Sequence, residues 1–66
     1  MKEKILQLIS EAKQGLSVQD LSEKLNVQGS AQYTKLIRLL NHMEDNLAIA
    51  RDERDRYHLA EELGYF

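Results

Sequence analysis

Sixty-six residues with 42% apolar content allow one small packed domain, so a second domain and a disordered chain are both excluded. The chain has no Cys, which rules out disulfides, thiolate nucleophiles and sulfur-based zinc sites, and no Pro and three Gly, which suit a mostly helical fold. The net charge of −2 comes wholly from Glu61 and Glu62. Acids and bases cancel within each of 1–30, 31–46 and 47–59, so a binding face must arise from local segregation.

Ile5, Leu8, Ile9 and Ala12 follow the i, i+3, i+4, i+7 stripe of an amphipathic helix, extended one turn back by Met1. This predicts a first helix over about 2–14, with Gly15 as a left-handed cap. Ser17 is then an N-cap, with Asp20 in the capping-box position, for a short helix over about 18–25 with Val18, Leu21 and Leu25 as its stripe. Asn26 is expected to end it and Val27 to pack back on it. After the turn Gln28–Gly29, Ser30 caps a third helix over about 31–45, with core residues Tyr33, Leu36, Ile37, Leu40 and Met43. Lys35, Arg38 and His42 lie opposite that stripe, Leu39 sits at the edge of the outer face, and Asn46 is the expected left-handed terminator.

Beyond Asn46 the period changes to two. Leu47 and Ile49 alternate with Ala48 and Ala50, and Tyr57 and Leu59 alternate with Arg56 and His58. This predicts an antiparallel hairpin over about 47–59 with a polar tip, followed by a tail at 60–66. Leu16-Ser17 is a candidate third strand. The expected fold class is mainly α with a small β-hairpin, a winged helix-turn-helix filling residues 1–66 as one domain.

No catalytic constellation is visible, so an enzyme is not expected. The three glycines are too scattered to cradle a phosphate, His42 and His58 have no third nitrogen or sulfur ligand, and arginines interleave the acids at 52–55. No cofactor and no metal are expected. No apolar run approaches the ~20 residues of a membrane span, so no membrane partner is expected and a cytoplasm is the default compartment.

What remains is recognition. Gln32, Lys35, Arg38 and His42 on the third helix can meet phosphates and base edges, though any helix needs a polar outer face. Arg51, Arg54 and Arg56 make the hairpin tip a phosphate or minor-groove probe, or else a solvated turn whose charges cancel against Asp52, Glu53 and Asp55. Glu44-Asp45 reads as solvated charge. Tyr33 and Tyr57 fit the core better than a stacking platform. Leu39, Leu63, Tyr65 and Phe66 are candidates for a partner surface.

Three ordered segments carry a resemblance: Leu16-Ser17-Val18-Gln19-Asp20-Leu21 with Leu25; Leu40-Asn41 and Met43-Glu44-Asp45 with Leu47 and Ile49; and Arg56-Tyr57 with Leu59, Glu61 and Leu63-Gly64. Together they resemble the N-terminal winged-helix domain of bacterial ribonuclease R, over about Ile5 to Gly64. The pattern departs from the family at Ala60, where Pro is usual, at His58, where Gly is usual, at Ala50, where Arg is common, and in a longer, more acidic tip. The resemblance implies an accessory module of a processive 3′–5′ exoribonuclease that helps engage structured RNA. The parent's cold-shock, magnesium-dependent catalytic and S1 domains have no counterpart in these residues. The chain is therefore expected to be an excised domain or a small stand-alone relative. RNA is the first partner expected, bound weakly by the domain alone. Other domains of a parent nuclease or a protein partner come next, and DNA last.

Overall fold

A computed structural model describes residues 2–64; Met1, Tyr65 and Phe66 lie outside the described residues. Three α-helices precede a two-stranded antiparallel hairpin, an arrangement compatible with a winged helix. The elements are α1 (Lys2–Glu11), α2 (Val18–Lys24), α3 (Gly29–Asp45), β1 (Ile49–Arg51) and β2 (Tyr57–Leu59), then a 3-10 turn over Ala60–Leu63. Ile49 pairs with Leu59, Ala50 with His58 and Arg51 with Tyr57.

The first helix stops at Glu11, a turn short of the expected 14. Ala12 and Gly15 instead make short-range bonds to Ile9 and Ala12. This turn frees Leu16 to exchange two backbone hydrogen bonds with Tyr57, at 3.1 and 2.7 Å. Leu16 is therefore a one-residue third strand beside β2. The capping box of α2 forms as expected: Ser17 Oγ accepts the Asp20 N–H at 3.1 Å, and Asp20 accepts the Ser17 N–H at 3.3 Å. Asn26 then turns left-handed, with φ 55, and Val27 N–H reaches back to the Ser22 carbonyl, closing the helix in a Schellman pattern.

The core joins Ile5, Ile9, Leu16, Leu21, Leu36, Leu40, Met43, Ile49 and Tyr57, all buried. Three assignments on α3 need correction, those of Tyr33, Ile37 and Leu39. Tyr33 is 45% exposed, and Leu39 lies half-buried against the core rather than at the edge of the outer face. The buried stripe is thus Leu36, Leu40 and Met43, flanked by the half-buried Leu39. Ile37, expected in the core, is only half-buried and lies outside the packed cluster. Tyr33 belongs to the first turns of α3, which stand clear of the core. Every residue from Gln28 to Lys35 is exposed.

Other boundaries also move. The third helix begins at Gly29, with Gln28 at the N-cap, so Ser30 is not its cap. The Gln28 N–H is instead taken by Gln32 Oε1 at 3.0 Å. At the far end Asn46 is right-handed, with φ −86, and Leu47 takes the left-handed conformation, with φ 60. Leu47 and Ala48 N–H groups bond the Glu44 and Met43 carbonyls, so Leu47 closes a second Schellman motif instead of starting a strand. In β1 both Ile49 and Ala50 are buried, not alternately exposed, because Ala50 shares its face with His58, on the side where His58 meets Gly15.

Candidate functional site

Lys35, Arg38 and His42 are all exposed on α3, as their wheel positions require. Neither Lys35 nor Arg38 makes an ion pair among the described residues. His42 Nε2 lies 3.1 Å from the Asn46 amide nitrogen near the helix C-terminus, where a partial negative charge gathers. Gln32 is exposed too, but its side-chain oxygen is engaged at the helix start.

The three hairpin arginines are not equivalent. Arg51 Nε donates to Glu44 Oε2 at 3.2 Å, and Arg51 Nη1 lies 3.9 Å from Asp55 Oδ1. Its guanidinium also sits 5.9 Å from the centre of the Tyr57 ring. Glu44, foremost by its charge, holds the guanidinium above its ordinary pKa. The Tyr57 hydroxyl donates to the other Glu44 oxygen at 3.4 Å, and burial pushes the phenol pKa up. Glu44 is therefore a half-buried clamp from α3 to both strands and not solvated charge. Arg54 is exposed and Arg56 half-buried, and neither makes an ion pair among the described residues.

The loop that carries them is organised by one carboxylate. Asp52 Oδ1 accepts the Arg54 N–H at 2.8 Å and the Arg56 N–H at 3.0 Å, while Oδ2 lies 2.6 Å from His58 Nε2. Asp55 takes φ 61 to complete the turn. The His58 side chain is 12% exposed and closes a shallow depression with Gln14, Asp52, Glu53 and Arg54. His58 thus turns inward, against its expected outward alternation. The sequence signal for this loop was present: an Asp that opens a polar tip commonly accepts the backbone N–H two residues on. The histidine contact, six residues away, depends on the loop closing first.

Hydrogen bonding from His58, reinforced by the two backbone donors, pulls the Asp52 carboxyl down to about 2. A depressed carboxylate stabilises the fold above its unfolded pKa and loses that contribution as pH falls through the folded value. The contribution of Asp52 should therefore disappear between about pH 4 and 2. Urea denaturation of the wild type and Asp52→Asn should give separated midpoints at pH 6 that converge near pH 2. A constant separation would assign the effect to another group.

Of the candidate partner-surface residues, Leu63 is exposed at 36%, Leu39 packs on the core, and Tyr65 and Phe66 fall outside the described residues. Among the described residues no group of three or more His, Cys, Asp or Glu side chains is placed to hold a metal ion. Among the described residues no helix is long and apolar enough to cross a membrane. No protein-family model matches the chain, and no curated protein matches it. The site is therefore read from its own geometry.

Proposed function

We propose that the chain is a winged helix-turn-helix that binds RNA, acting in a bacterial cytoplasm as the accessory module of a ribonuclease R-like exoribonuclease whose catalysis resides elsewhere. The observation that carries this reading is the row Lys35, Arg38 and His42, exposed on one helix with both cations outside any described ion pair. Cations already neutralised by a neighbouring carboxylate gain less from a phosphate, so Arg51 contributes least, and Arg54 and Arg56 carry the contact at the hairpin. The likeness to the ribonuclease R domain supplies the choice of RNA over DNA. A duplex reader would also need a dimer to span two half-sites.

With so few phosphates neutralised, affinity should be modest and the slope of log K against log salt only about −2 to −4. Titration of the labelled domain with an RNA duplex bearing a 3′ overhang, at low salt, should shift the amides of Lys35, Arg38 and 52–56. Charge reversal by Arg38→Glu should weaken binding by about tenfold or more, and Arg51→Gln much less. Absence of any shift between Gln32 and Tyr57 would overturn the RNA reading. Equal or tighter binding of duplex DNA would favour a DNA-binding regulator.

A further inference from the structure

Leu47 has two unfavourable properties at once. It is the left-handed residue that closes α3, with φ 60, where glycine is at ease and a residue with a Cβ is not. Its side chain is also 49% exposed and is not among those packed on the core. The closure itself uses only backbone, the N–H groups of Leu47 and Ala48, and glycine at 47 would make the same bonds. The leucine side chain is therefore not explained by the fold.

A second exposed leucine lies on the neighbouring element. Ala60 N–H bonds the Ala48 carbonyl at 3.2 Å, which draws the 3-10 turn against the chain just after Leu47. That turn carries Leu63, 36% exposed. The charged residues within two positions of either leucine are Asp45, Glu61 and Glu62, all acidic and all exposed.

We propose that Leu47 and Leu63, rimmed by Asp45, Glu61 and Glu62, form a docking surface for a basic, apolar segment of a protein partner. The segment would present a large aliphatic side chain flanked by Lys or Arg. Charge complementarity selects that occupant. A second copy in a two-fold contact would set the acidic rim against itself, and a nucleic-acid backbone would meet three carboxylates. Residues held in such sparsely populated conformations cluster at ligand clamps and other functional sites. The surface lies at the C-terminal end of α3 and the open end of the hairpin, so this inference does not rest on the RNA reading.

The test pairs a probe with a variant. The probe is an amphipathic peptide with leucines at i and i+4 and lysines around them; its control has glutamates in place of the lysines. The lysine peptide should shift the amides of Leu47, Ala48, Leu63 and Gly64, and the glutamate peptide should not. Leu47→Gly should raise Tm by relieving the left-handed strain, yet weaken peptide binding by about tenfold. A lower Tm would mean that the side chain serves the fold and would overturn the proposal. So would unchanged affinity in Leu47→Gly alongside a loss in Glu61→Gln, since binding would then be charge alone. A concentration-dependent dimer abolished by Leu47→Gly would assign the face to a second copy. Shifts at the same amides with RNA in place of the peptide would assign it to nucleic acid. Movement of those amides only on removal of Tyr65 and Phe66 would assign it to the chain's own last residues. Each of these three outcomes would overturn the proposal.

Discussion

Replacing Leu40 with alanine is expected to leave most of the protein unfolded at room temperature. Leu40 is fully buried and belongs to the same cluster as Ile5 and Ile9 of α1, Leu21 of α2, and Ile49 and Tyr57 of the hairpin. Truncation removes the transfer free energy of the lost methyl groups and leaves a cavity, about 2–5 kcal/mol together. A core in a domain of this size supplies only about 3–5 kcal/mol of net stability. The loss and the total are therefore comparable. Far-UV circular dichroism with a urea titration should show a missing or strongly shifted folded baseline. Leu40→Met nearly conserves volume and should cost less than about 1.5 kcal/mol. Tyr33→Ala makes the sharper comparison. The wheel places Tyr33 on the same side of α3, yet its 45% exposure predicts a change well under about 1 kcal/mol. A Leu40→Ala protein with the wild-type midpoint would mean that this packing is wrong.

That comparison also shows where sequence reasoning stops. Signals confined to one or two turns were legible: the Ser17–Asp20 box, the left-handed Asn26, and the outward Lys35, Arg38 and His42. Each depends on chemistry within a few residues. Tyr33 failed because a helical wheel gives an angle and not a depth; which turns of α3 the rest of the fold covers is a tertiary property. Leu39 and Ile37 failed on rotational phase, since Leu39 packs on the core and Ile37 does not, a choice made by packing from outside the helix. Leu47 failed because alternation with Ile49 imitates a strand, while the residue expected to turn left-handed, Asn46, stands one position earlier. At the candidate site, the engagement of Arg51 joins residues seven apart on a helix and a strand. The Asp52–His58 contact needs a closed loop. Local charge counts held neither.

The second large loss is expected from Gly15→Ala, and its origin differs from that of Leu40→Ala. Gly15 has φ 80, so any side chain there carries left-handed strain of roughly 1–2 kcal/mol. The same strain applies at Gly29 and Gly64, where an added Cβ would meet nothing within 4 Å. At Gly15 the Cβ would stand 2.7 Å from the His58 ring and 2.8 Å from the Tyr57 carbonyl oxygen. Forcing a methyl group into such a contact adds about 1–3 kcal/mol. Gly15→Ala should therefore lower Tm well beyond Gly64→Ala. The two contacts can be separated. His58→Ala removes the ring but not the carbonyl, which is held in place by the Leu16 N–H. The double variant should recover part of the Gly15→Ala loss and no more, with a favourable coupling of about 1 kcal/mol in the mutant cycle. The injury should also reach the hairpin tip. His58 displaced from Gly15 cannot keep its 2.6 Å contact with Asp52, and Asp52 positions the backbone of Arg54 and Arg56. Amide shifts at Arg54 and Arg56 in Gly15→Ala, absent in Gly64→Ala, would trace that route. Equal Tm values for Gly15→Ala and Gly64→Ala would mean that the end of α1 and the hairpin are not in contact through His58.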